Sequence, residues 1–90
     1  MRHPLSNEAF ADWLEAQPPG KKYRWTDIKN CAICQYFKVA GIPFDSLGQD
    51  WWADKEGKTH KLPQAWATAV LLWPHEFNEA GARLRQLMHG

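Results

Sequence analysis

Six tryptophans in a chain of ninety residues are the feature that any fold for this sequence must accommodate. Each indole removes roughly 150–250 Å² from water when buried, and an indole left outside is a common anchor of binding interfaces. With four Phe and two Tyr beside them, the rings let a small core reach a useful size without disulfides or a metal. A chain of this length supports one core and not two, so one domain is expected. Apolar residues make up 44% and charged residues 23% of the chain, the balance of a globular protein and not of a disordered one.

Charge excludes some classes of function. Eleven Lys and Arg against ten Asp and Glu leave a net charge of +1, which announces neither an acidic nucleic-acid mimic nor a strongly basic binder. Met1 to Ser6 lacks the apolar run of a signal peptide, and nowhere do apolar residues run long enough to span a bilayer, so no membrane partner is expected and the cytoplasm is the default location. Cys31 and Cys34 are the two cysteines; so closely spaced, they fit a reducing compartment better than a disulfide framework.

Periodicity and punctuation predict a small α+β domain of about four helices, with a short β-hairpin between the second and third. Ser6 caps a helix over 7–16 that carries Phe10, Trp13 and Leu14, with Leu5 and Phe10 placed as a hydrophobic staple. Pro18-Pro19-Gly20 ends it. A connector over 18–26 alternates charge with aromatic in Lys21-Lys22-Tyr23-Arg24-Trp25 and reads as extended. Asp27 or Asn30 caps a central helix over 28–40, stopped by Gly41. The hairpin spans 47–62, with its turn in Asp54-Lys55-Glu56-Gly57-Lys58. Helices follow over 63–73 and 75–88; Trp66, Ala69, Val70 and Trp73 recur at helical spacing and are expected to face the core. Trp13, Ile33, Phe37, Trp66, Val70, Phe77 and Leu84 form the expected core.

No residue set for catalysis stands out. The carboxylates fall at helix starts (Glu8, Glu76, Glu79) or in turns (Asp45, Asp54, Glu56), where capping and solvation account for them, and no phosphate loop, nucleophile elbow or His-Glu-x-x-His helix is present. The chain reads as a binding protein and not an enzyme, with no cofactor. Cys31-Ala32-Ile33-Cys34 has the spacing of a redox pair or half a zinc site, but its apolar interior favours two cysteines packed as small hydrophobes. For nucleic acid the best candidate is Lys21-Lys22-Tyr23-Arg24-Trp25; a solvated connector is the stronger reading, because near-zero net charge gives little long-range attraction. Trp51-Trp52 is sharper. Neighbours on a strand face opposite sides, so one ring is expected at the surface. The expected partner-binding set is Trp51, Trp52, Lys55, Lys58, Lys21, Lys22 and Arg24.

Phe10-Ala11-Asp12-Trp13-Leu14-Glu15-Ala16-Gln17-Pro18, then Tyr23, Asn30-Cys31-Ala32-Ile33-Cys34-Gln35-Tyr36-Phe37 and Ala82-Arg83-Leu84 together resemble a group of small proteins from proteobacteria and their phages, in which a Trp-Leu-Glu-x-Gln-Pro helix precedes a Cys-Ala-containing helix. The resemblance spans nearly the whole chain except Pro43 to Lys61. It implies a miniature α+β fold, carries over no catalytic residue, and by analogy with small phage-borne inhibitors points to an anti-CRISPR protein acting on a type I effector of the host. The alternatives are a nucleic-acid-binding accessory protein using Lys21 to Trp25, and a small thiol or zinc module through Cys31 and Cys34. A second copy of the chain, joined about a two-fold axis, is another way to cover an exposed aromatic patch.

Overall fold

Ser6 begins the first helix as its hydroxyl oxygen demands: Oγ accepts from the Ala9 amide at 3.2 Å, and α1 runs Asn7–Ala16 with Glu8 in its positive first turn. The structure, a computed structural model, describes residues 3, 5–24, 31–48 and 50–89. Among them it has four helices and a three-stranded antiparallel sheet set between the second and third helices.

The second helix, α2, runs Ala32–Ala40. Residues 25–30 lie outside the described residues, and with them the expected start near residue 28, the caps Asp27 and Asn30, and Trp25 of the connector. Within the described residues the cap is Cys31, extended at φ −70° and ψ 157°, whose Sγ accepts from the Cys34 amide at 3.3 Å. A sulfur in this position does what a serine oxygen does at most helix starts. Cys31→Ser should therefore leave the thermal midpoint nearly unchanged, whereas Cys31→Ala should cost about 0.5–2 kcal/mol. Equal midpoints for the two variants would remove the capping role.

The strands are β1 (Ser46–Leu47), β2 (Trp51–Ala53) and β3 (Thr59–Lys61), in the order β1-β2-β3. The expected hairpin is β2–β3, registered Trp51 to Lys61, Trp52 to His60 and Ala53 to Thr59; β1 adds a further strand on the other side of β2. Asp54 organises the turn. Its Oδ1 accepts from the Glu56 and Lys58 amides at 2.9 and 3.0 Å, and its Oδ2 lies 2.9 Å from His60 Nε2. These contacts, the His60 one foremost, lower the Asp54 pKa below the usual carboxylate value.

The last two helices are α3 (Gln64–Leu71) and α4 (Phe77–His89). Helix α4 lies along α1, and the two come close at Gly81, where a Cβ would sit 2.9 Å from Glu15 Cγ. Asn78 Nδ2 donates to the Leu14 and Gln17 carbonyls at 3.1 and 3.0 Å, satisfying the end of α1. Arg85 pairs with Asp12 and with Glu15 across the same seam. Trp66 is fully buried, its ring 4.2 Å from that of Phe10 and its Nε1 donating to Asn7 Oδ1 at 2.9 Å. Of the expected core, Ile33, Phe37, Trp66, Val70, Phe77 and Leu84 are buried, and Trp13 packs half-buried against them.

One expected core residue lies elsewhere. Helix α3 stops at Leu71 and not at residue 73, and Trp73 is 77% exposed. The cause is local: a residue before proline is pushed out of the helical region, Leu72 is already extended at φ −74° and ψ 148°, and the i+7 position that would have turned Trp73 inward does not exist.

Candidate partner-binding surface

Ending α3 so early leaves its final carbonyls without helical partners, and three side chains from other parts of the chain supply contacts. Arg83 Nε donates to Ala69 O at 2.8 Å, Tyr23 OH donates to Val70 O at 2.7 Å, and His75 Nε2 lies 3.0 Å from Leu71 O. Arg83 Nη2 also donates to Pro74 O at 3.1 Å, holding the segment beyond the helix. Burial pushes the Tyr23 phenol up to about 12 against the opposing pull of Arg83, so it stays a neutral donor at ordinary pH.

Above this support stands an exposed apolar corner made of Leu71, Leu72 and Trp73. The Trp73 ring meets His75 edge-on with centroids 5.0 Å apart, and His75 lies 5.7 Å from the Tyr23 ring. An indole carried on a short, pinned segment loses little freedom when a partner covers it, which is the economy that makes tryptophan a frequent hot spot.

The basic connector runs past the same corner. Lys22 and Glu76 form an antiparallel bridge, Tyr23 N donates to His75 O at 3.1 Å, and Phe77 N donates to Lys21 O at 3.0 Å. The alternation read from the sequence is realised here: Tyr23 is buried, while Lys21, Lys22 and Arg24 are exposed. Lys21 Nζ sits 5.5 Å over the Phe77 ring. Three cations thus line the antiparallel partner of the segment that follows Trp73.

The sheet holds the other expected residues. Trp52 is 7% exposed, with its ring 5.3 Å from Phe37 and stacked on His60 at 4.4 Å; it belongs to the core and offers no surface anchor. Trp51 points the other way and is 39% exposed, as alternation along a strand requires. Its ring lies against Gly48, where any Cβ would fall inside the indole, so the absence of a side chain there fixes where Trp51 rests. Lys55 and Lys58 are exposed in the hairpin turn, at the far end of β2 from Trp51. The expected set is therefore divided between the α3–α4 junction and the sheet.

Leu71, Leu72 and Trp73 were missed because a helical stripe absorbed Trp73; the Trp-Pro step was the signal that argued against it. A cleft of about 540 Å³ adjoins the corner, running from Asp50 and Lys61 along Ala67 and Thr68 on α3 to Leu71. Among the described residues no three His, Cys, Asp or Glu side chains group as metal ligands, and no helix is long and apolar enough to cross a membrane. No family model, curated protein or solved structure matches the chain, which leaves the likeness to small phage and proteobacterial proteins resting on its motifs alone.

Proposed function

We propose that the protein is a non-catalytic binding protein that acts by occupying the surface of a larger host complex, with Leu71, Leu72 and Trp73 as its anchor. The observation that carries this reading is the 77% exposure of Trp73 on a segment held by Arg83, Tyr23 and His75. A domain of this size offers about 800 Å² to a partner, enough for tight binding only when a few desolvated anchors supply the energy. Lys21, Lys22 and Arg24 beside the corner favour a partner with an acidic rim and speed the encounter with it. Trp51 is a second, less exposed anchor on the sheet.

By analogy with small phage-borne inhibitors, the complex proposed is a type I CRISPR effector of the host, with the protein as its inhibitor. Expression in a host with active type I interference tests this. The expected result is loss of interference, recovery of effector subunits on the tagged protein, and failure of both for Trp73→Ala. Undiminished interference without any CRISPR component in the recovered material would eliminate that target. Recovery of nucleic acid in a steeply salt-dependent manner, abolished by charge reversal at Lys22 and Arg24, would replace the protein-partner reading with the nucleic-acid one.

A further inference from the structure

The sheet ends at β3, and its hydrogen-bond register shows which backbone groups are left over. Leu62 N donates to Asp50 O and Asp54 N to Lys58 O, each at 2.9 Å, so the bonded pairs are Asp50 with Leu62, Trp52 with His60 and Asp54 with Lys58. In an antiparallel ladder the residues between such pairs turn their N–H and C=O groups away. On β3 those residues are Thr59 and Lys61, and β3 is an edge of the sheet with all three of its residues exposed.

Charge decides what this edge accepts. Lys55, Lys58 and Lys61 are exposed along the turn and strand, and the carboxylate of Asp54 is engaged by His60 and two amides. The remaining acids nearby are Glu56 in the turn and Asp50, which lines the cleft at the Lys61 end. Lysines on an edge strand oppose pairing with an identical lysine-bearing edge, which argues against a second copy of this chain. The same lysines complement an acidic strand.

We propose that the outer edge of β3 is a docking site for an extended acidic peptide segment, added antiparallel or parallel to Thr59–Lys61 as a further strand. Its backbone pairs with the outward groups of Thr59 and Lys61, its carboxylates lie on the Lys61 face with Lys58 adding positive charge from the turn, and an apolar side chain on the opposite face enters the cleft against Leu62, Ala67 and Leu71. Strand addition of this kind draws affinity from main-chain hydrogen bonds and specificity from side-chain pockets. The site shares Leu71 with the corner but does not involve Trp73.

A capped eight-residue peptide alternating Glu with Val and Thr is the probe, followed by amide hydrogen exchange and NMR shifts on the whole protein. Binding should slow exchange at Thr59 and Lys61, weaken as salt rises, and drop at least tenfold in affinity for the exposed double variant Lys58→Glu/Lys61→Glu. The same peptide N-methylated at alternate residues keeps its charge but cannot pair along an edge, and it should not bind. Trp73→Ala should leave the protection at Thr59 and Lys61 intact, which separates this site from the proposed anchor. Absence of protection at millimolar peptide, equal binding of the N-methylated peptide, or equal binding of a Lys-for-Glu peptide would each overturn the proposal.

Discussion

Replacing Trp66 with alanine is expected to remove about 3–5 kcal/mol of stability, the usual cost of truncating a large buried aromatic, and so to take a large part of the roughly 5–15 kcal/mol that holds a domain folded. Trp66 has no exposed surface, lies tilted against Phe10 with ring centroids 4.2 Å apart, and meets Tyr36 edge-on at 5.6 Å. It sits on the short helix α3 yet bonds Asn7 at the start of α1, joining two ends of the chain through one side chain. The urea midpoint should fall well below that of the unaltered protein while the slope of the transition is kept. Asn7→Ala, which removes only the partner of the indole N–H, should cost about 1–3 kcal/mol. A Trp66→Ala protein with an unchanged midpoint would mean that the core is not centred on this ring.

The elements were legible where a local rule acted alone. Ser6 before Asn7–Ala16 was read from its capping chemistry, and the structure places the cap and both ends of that helix there. The hairpin followed from the polar turn between two short β-forming runs. The strand Ser46–Leu47 was not legible, because two residues carry no period, and what fixes them is pairing with Ala53 and Trp52 on β2. The opposite facing of Trp51 and Trp52 followed from strand geometry alone; which ring goes inside depended on Phe37 and His60, which reach Trp52 from outside its strand. At Trp73 two local rules conflicted. Helical spacing with Trp66 and Val70 pointed inward, and the following proline pointed out of the helix. The proline's steric demand on the preceding backbone prevailed, and Arg83, Tyr23 and His75, distant in sequence, make the resulting helix end tolerable. No pattern in residues 63–74 reveals those partners, so the corner that best fits a binding role emerges only from tertiary structure.

For the captured partner, Trp73→Ala is expected to weaken affinity by about 30-fold or more, equivalent to the roughly 2 kcal/mol that marks a hot spot, while moving the unfolding free energy by no more than about 0.5 kcal/mol. The separation follows from exposure. A ring that is 77% exposed in the unbound protein contributes little to folding and has nearly all its surface left to lose to a partner. The loss should lie mainly in faster dissociation, since the contact forms after encounter. Charge reversal at Arg24, on the basic connector, should instead slow association and reduce its dependence on salt. Trp52→Ala is the necessary contrast, because that ring is 7% exposed and stacks on His60: any binding it loses should be accompanied by a stability loss of about 3–5 kcal/mol. If Trp73→Ala bound the partner undiminished while Trp51→Ala did not, the anchor would lie on the sheet beside Gly48, and the corner at the end of α3 would have no part in binding.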